Sequence, residues 1–236
     1  MRKFLDYKAV IFDFDGTLYD NSHIGRALIL SRPFSFFYMK AERDTRRNLK
    51  GRDIETPQKF KYEYCKRAAK LLGTSPEIFA RWYEEKYLKY LERALRKKRF
   101  KARERIAEVF AALVSSGKKI ALYSDYERIQ ARALACGVPQ EALDLCSGFY
   151  SPKDFGCLKP APRAFLQIAA DLSARPKDCL VVGDRDDTDG MGARLTEMDF
   201  IQIKTKKPKE VLHFSHPIMD WNDFADAVLR GEPLKA

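Results

Sequence analysis

The chain has 236 residues, of which 45% are hydrophobic and 33% charged, enough apolar material for one large α/β domain or a core with a smaller insert. No stretch is apolar for long enough to span a bilayer, since the richest, Ala27 to Met39, is broken by Arg32 and Pro33, and the N-terminus lacks a signal-peptide layout; a cytoplasmic protein with no membrane partner is expected. Five cysteines, none in a Cys-x-x-Cys pair, and only three histidines argue against a zinc site or a disulfide framework.

The formal net charge of +11 is unevenly placed. From Asp20 to Arg105 there are 24 Lys or Arg against 11 Asp or Glu, while the remainder carries 20 against 22. That asymmetry points to two modules with different jobs. In chain order, Lys8 to Asp13 is a β-branched and aromatic run that reads as a strand. The basic block from about Asn21 to Arg99 reads as amphipathic helices over Ile24 to Leu30, Phe36 to Leu49, Gln58 to Leu72 and Pro76 to Lys98. Pro57 and Pro76 stand where a first helical turn tolerates proline. After the block, a helix over Arg103 to Ser115 leads to a strand over Lys119 to Ser124. Helices over Ile129 to Cys136 and Pro162 to Leu172 follow, then strands at Cys179 to Gly183 and Phe200 to Ile203, and a helix from Trp221 to Leu229. Short continuous apolar runs separated by helices suit a parallel sheet covered on both faces. The expected architecture is α/β: a Rossmann-like core from residues 1–20 and 100–236, interrupted by an all-helical cap over 21–99.

Asp13 and Asp15 fall at the carboxyl end of the first strand, where open parallel sheets form their ligand crevice. Spaced by two, their side chains are expected on one face. Gly16 frees the backbone to turn, and Thr17 can hydrogen-bond nearby. Two carboxylates this close need a cation or a shared proton to coexist, and a hard divalent ion such as Mg²⁺ is the simplest solution. The same residues could also be no more than an acidic turn.

The segment Val10-Ile11-Phe12-Asp13-Phe14-Asp15-Gly16-Thr17-Leu18 resembles the first motif of the haloacid dehalogenase superfamily, and three later segments resemble its other motifs in order. These are Lys119 to Ser124, a strand ending in serine; Cys157-Leu158-Lys159-Pro160-Ala161-Pro162, which supplies a lysine before a proline-initiated helix; and Val181-Val182-Gly183-Asp184-Arg185-Asp186-Asp187-Thr188-Asp189-Gly190, an acidic loop after a buried strand. The resemblance implies that Asp13 is the nucleophile and Asp15 a general acid and base. It implies that Ser124 and Lys159 bind the phosphoryl oxygens, and that Mg²⁺ is held by Asp13, the Asp15 carbonyl, Asp184 and Asp189. Asp186 and Asp187 are read as solvated turn residues that could assist the metal.

Family members that dehalogenate lack the second carboxylate, so Asp15 favours phosphate-ester chemistry on a small phosphorylated metabolite. A sugar-phosphate mutase would use the same residues. A third reading, from another class, is a non-catalytic scaffold or nucleic-acid-binding protein using the basic block; no nucleic-acid module accompanies that block, and nucleic acid is not the expected partner. The basic run Arg93 to Arg105 reads as a solvated helix end, or as a surface that concentrates polyanions. Phe34, Phe36, Phe37 and Tyr38 are expected to pack between the helices, or to wall a pocket for a ring-bearing leaving group.

Overall fold

The computed structural model describes residues 6–206 and 216–231. Six parallel strands form one sheet: β1 (Ala9–Asp13), β2 (Lys119–Tyr123), β3 (Gly148–Tyr150), β4 (Cys179–Gly183), β5 (Asp199–Ile203) and β6 (Ile218–Met219), in the spatial order β3-β2-β1-β4-β5-β6. β1 lies between β2 and β4, with Asp13 opposite Tyr123 and Phe12 opposite Val182. The order runs one way from β1 to β3 and the other from β4 to β6, so the switch point lies between β1 and β4, where a doubly wound sheet opens its crevice.

Both faces are covered. Val10, Phe12, Leu122, Val182 and Ile203 turn to one core; Ile11, Ala121, Tyr123 and Val181 turn to the other. This explains why the strands read as unbroken apolar runs rather than alternating ones. The twelve helices of the described residues are α1 (Ile24–Ser31), α2 (Phe36–Leu49), α3 (Pro57–Leu72), α4 (Pro76–Trp82), α5 (Leu88–Leu95), α6 (Ile106–Ser115), α7 (Ile129–Cys136), α8 (Gln140–Asp144), α9 (Pro152–Phe155), α10 (Pro162–Asp171), α11 (Met191–Leu195) and α12 (Trp221–Arg230).

Helices α1 to α5 stand between β1 and β2 and bury an apolar cluster of their own, centred on Phe79. The Phe79 ring meets those of Tyr38, Tyr64, Trp82 and Tyr83 at centroid distances of 5.6–6.5 Å. Thr56 and Ser75 cap α3 and α4 by accepting from Lys59 and Ile78 N–H, and Pro57 and Pro76 open those helices as expected.

The structure departs from the sequence reading in two places and agrees with it in a third. The helix expected from Pro76 to Lys98 carries a π-type turn at Tyr83–Tyr87 and ends at Leu95. Of the aromatic group near residue 36, only Tyr38 packs among the helices; Phe34 and Phe37 are exposed and Phe36 is partly so. The run Arg93 to Arg105 lies outward at its basic positions Arg93, Arg96, Lys97, Lys98, Arg99 and Lys101, as a solvated helix end should.

Candidate active site

The strand ends of β1, β2 and β4 deliver the site. Asp13 is the last residue of β1 and is buried against Lys159, whose Nζ donates to Asp13 Oδ1 at 2.7 Å, Asp189 Oδ1 at 2.8 Å and the Tyr123 carbonyl at 3.0 Å. Thr17 donates from Oγ1 to the other Asp13 oxygen at 2.8 Å. Burial pushes the Asp13 carboxyl well above its ordinary value; Lys159 opposes this, while Asp189 and Asp184 add to it. Burial also disfavours the Lys159 ammonium, but Asp13, Asp189 and Asp125 outweigh it and hold that group above its usual range.

Asp13, Asp184 and Asp189 are all buried, and one carboxylate oxygen from each lies within 4.8 Å of the others. A set of hard oxygen donors at this spacing fits a hard divalent cation such as Mg²⁺. Gly16 is required beside it. Its φ is 108°, and a Cβ there would lie 2.3 Å from Asp184 Oδ2. Gly183 is equally confined, since a Cβ would meet the Asp189 side chain at 2.5 Å.

Asp15 lines the same cavity as Asp13, just beyond the end of β1. Its carboxylate is gripped by Arg132 of α7, which donates from Nη1 at 2.6 and 2.8 Å. The Tyr19 hydroxyl and Ser124 Oγ each donate to it at 2.6 Å. Burial pushes the Asp15 carboxyl up, but Arg132, Ser124 and Tyr19 more than offset this and hold it below the ordinary carboxylate value. Asn21 Nδ2 donates to the Asp15 carbonyl at 2.7 Å.

Ser124 is fully buried. Besides donating to Asp15, its oxygen accepts from Arg132 Nη2 at 2.7 Å and from Tyr126 N–H at 3.0 Å. Of the expected residues, then, Asp13, Lys159, Asp184 and Asp189 converge, while Asp15 and Ser124 form an adjoining group around Arg132. Asp186 and Asp187 are not solvated turn residues and stand apart from the cluster. Asp186 is buried and pairs with Arg194 at 2.7 Å, and Asp187 pairs with Arg185 at 2.6 Å and with Lys50 of α2's C-terminal end. His216 bonds Gln202 at 2.7 Å through Nε2; His213 lies outside the described residues.

Arg132 is the residue that sequence reasoning missed. It is fully buried, and its guanidinium also donates to the carbonyls of Tyr126 at 2.7 Å and Glu127 at 3.0 Å. A signal was present: Ile129, Arg132, Ala133 and Cys136 all lie on the buried stripe of α7, so this arginine occupies an apolar-face position.

The profile of the haloacid dehalogenase-like hydrolases matches residues 7–195, a span holding every residue of both groups. The chain belongs to that family. Solved structures agree on the fold. A HAD phosphatase from Thermococcus onnurineus has a TM-score of 0.58 at 19% identity, covering 96% of this chain and 99% of its own. The putative HAD-hydrolase YfnB from Bacillus subtilis, bound to magnesium, scores 0.61 at 14% identity, covering 95% and 99%. An L-2-haloacid dehalogenase from Xanthobacter autotrophicus scores 0.59 at 17% identity, covering 94% and 98%. No curated protein matched the sequence.

Proposed function

We propose that this hydrolase is a Mg²⁺-dependent phosphatase that cleaves a phosphomonoester of a small metabolite through an aspartyl phosphate. The observation that carries the reading is the pair of carboxylates with opposite surroundings. Asp13 sits beside the Lys159 ammonium and within the acidic cluster, whereas Asp15 is held separately by Arg132 at the edge of the same cavity. A halide leaves without a proton; an alcohol needs one, and a second carboxylate can supply it.

Asp13 Oδ attacks phosphorus, the ester P–O bond breaks, and Asp15 in its acid form gives its proton to the departing oxygen. Asp15, now a carboxylate, takes a proton from the water that attacks the aspartyl phosphate, and the acyl P–O bond breaks to free Asp13. The grip of Arg132 favours the ionised form of Asp15, so the base step is the one for which it is prepared in this arrangement. Lys159 holds a phosphoryl oxygen and offsets the charge of Asp13, and Ser124 would serve the phosphoryl group by turning its hydroxyl proton from Asp15 to a phosphoryl oxygen. Asp13, Asp184, Asp189 and the Asp15 carbonyl would hold Mg²⁺, which supplies charge neutralisation at the phosphoryl oxygens. Residues 21–99 act as a cap over a core of 1–20 and 100–236, screening the cavity from water.

Phosphate release from p-nitrophenyl phosphate should require Mg²⁺ and vanish in Asp13→Asn. Absence of turnover from a folded, Mg²⁺-loaded protein across a panel of phosphate esters, with halide release from 2-haloacids instead, would overturn it.

A further inference from the structure

Above the acidic cluster the cavity opens into a chamber of about 290 Å³ whose far wall is Ile24, Leu28, Ile29, Phe36, Met39 and Leu91. All six come from the helical insert or its approach, and Leu28, Met39 and Leu91 are buried. The polar side chains set among them are committed to one another. The Glu42 carboxylate accepts from Arg46 Nε at 2.9 Å, the Tyr64 hydroxyl at 2.6 Å and the Tyr87 hydroxyl at 3.3 Å. Arg46 donates further to the Asp125 carbonyl and to the Tyr64 hydroxyl, and its guanidinium lies 4.0 Å from the Tyr126 ring centroid. Lys40 and Arg43 also line the cavity, but their ammonium and guanidinium groups are more than half exposed and pair only loosely with Asp44 at the surface.

A sugar or nucleoside leaving group needs positioned partners for its hydroxyls, and binding one here would require this network to be broken at the cost of unpaired buried groups. A hydrocarbon needs none. The apolar surface also continues past the mouth: Leu30, Phe34 and Phe37, on the same α1–α2 corner as Ile29 and Phe36, are exposed, Phe34 completely. The Phe37 ring lies 5.5 Å from that of Phe36, so the apolar lining continues from the cavity wall to an exposed ring beside it.

We propose that the substrate is an amphiphilic phosphomonoester, with its phosphate at Asp13 and Lys159 and an aliphatic or aromatic tail along Leu28, Ile29, Met39 and Phe36, leaving the protein over Phe34 and Phe37. This rests on the phosphatase reading and names the class of its leaving group.

The test is kcat/KM for a series of n-alkyl phosphates from methyl to octyl, each below its micellar concentration, beside glucose 6-phosphate. The expected result is a rise of about fourfold per methylene until the chain reaches the mouth, with glucose 6-phosphate far below hexyl phosphate. Ile29→Ser with Phe36→Ser should flatten that slope, and Ile78→Ser, exposed on α4 and outside the cavity, should keep it. Calorimetric binding of the same series to Asp13→Asn reads the preference without turnover and should show the same trend. A flat series with methyl phosphate turned over, or faster turnover of the sugar phosphate, overturns this inference and leaves the phosphatase intact. No phosphate release from any ester overturns both.

Discussion

The ion pair between Asp15 and Arg132 makes a quantitative demand on stability. Arg132 is fully enclosed and donates five hydrogen bonds, two of them to Asp15. Arg132→Met removes all five and leaves a carboxylate whose side chain is only 18% exposed. Removing one partner of a buried pair costs about 3–5 kcal/mol. Asp15 keeps the Ser124 and Tyr19 hydroxyls, so this variant belongs near the low end, about 3 kcal/mol. Asp15→Asn instead strands a fully buried guanidinium and should cost about 4 kcal/mol. The double variant has no uncompensated charge. Its loss should fall short of the sum of the two by about 2–3 kcal/mol, the upper part of the roughly 0.5–3 kcal/mol coupling range for residues in direct contact. Urea unfolding followed by circular dichroism on the four proteins measures the cycle. Single losses that add to within about 0.5 kcal/mol would refute the claim that Arg132 is held in place by Asp15's charge.

Phe79→Ala should destabilise the helical insert by about 3–5 kcal/mol, because the ring is fully buried among four other aromatic side chains; loss of near-ultraviolet circular dichroism at a lower urea concentration would show it. Gly16→Ala should lower phosphate release at least about a hundredfold, since misplacement of this order at a reacting group has that effect, and its added Cβ would press on Asp184 at a backbone φ of 108°. Lys50→Ala breaks a partly exposed pair with Asp187 and should cost less than about 1 kcal/mol in thermal or urea unfolding. Burial pushes the thiols of Cys65 and Cys157 up to about 11 and those of Cys136, Cys146 and Cys179 up to about 12. All five therefore stay protonated at pH 8, and a thiol-specific disulfide reagent should titrate them slowly in the native protein and rapidly, to five equivalents, in denaturant; their reactivity in the folded state should climb only as pH rises toward 11.

Much of this was visible in the sequence, for physical reasons that also explain what was not. β1, β2, β4 and β5 are buried on both faces, so β1, β2 and β4 each write an unbroken apolar run and β5 one interrupted only by the buried Gln202. β3 and β6 have three and two residues and are too short to leave a pattern. The helix between Pro76 and Lys98 read as continuous because Phe79, Trp82, Tyr83, Leu88 and Leu91 keep roughly helical spacing, which a single π-type turn shifts without interrupting. Asp13 and Asp184 were legible because each ends or directly follows a strand that the apolar runs located, whereas Lys159, before α10, and Asp189, in the turn after β4, were read from the resemblance to the family's later motifs. The partner of Asp15 was the part that stayed hidden: Phe14 turns with Phe12 into the core that α7 covers, and its ring lies under the Arg132 guanidinium at 4.9 Å, a contact that no local pattern in the first motif announces.

The basic surplus of the insert invited a reading as a polyanion surface, and its actual disposition argues otherwise. Its one deeply placed arginine in the cavity, Arg46, is neutralised by Glu42 within the same helix and faces the β2–α7 connection rather than open solvent. Glu42 and Arg46 lie four apart on α2, with Met39 and Leu49 completing the inward stripe, so the helix carries a charge pair where an apolar pair would be expected. Such a pair does little for net stability compared with apolar residues of the same volume. What it does provide is direction: the guanidinium reaches the Asp125 carbonyl and the Tyr126 ring, one and two residues beyond Ser124, and ties the insert to the loop that grips Asp15. The buried positive charges at and behind the cavity are thus spent on internal partners, at Asp13 for Lys159, Asp15 for Arg132 and Glu42 for Arg46, while Lys40 and Arg43 of its lining stay more than half exposed. On the phosphatase reading, a phosphate entering there would meet three converging carboxylates beside a Lys159 already engaged by two of them, which is why that reading needs a divalent cation to offset the charge.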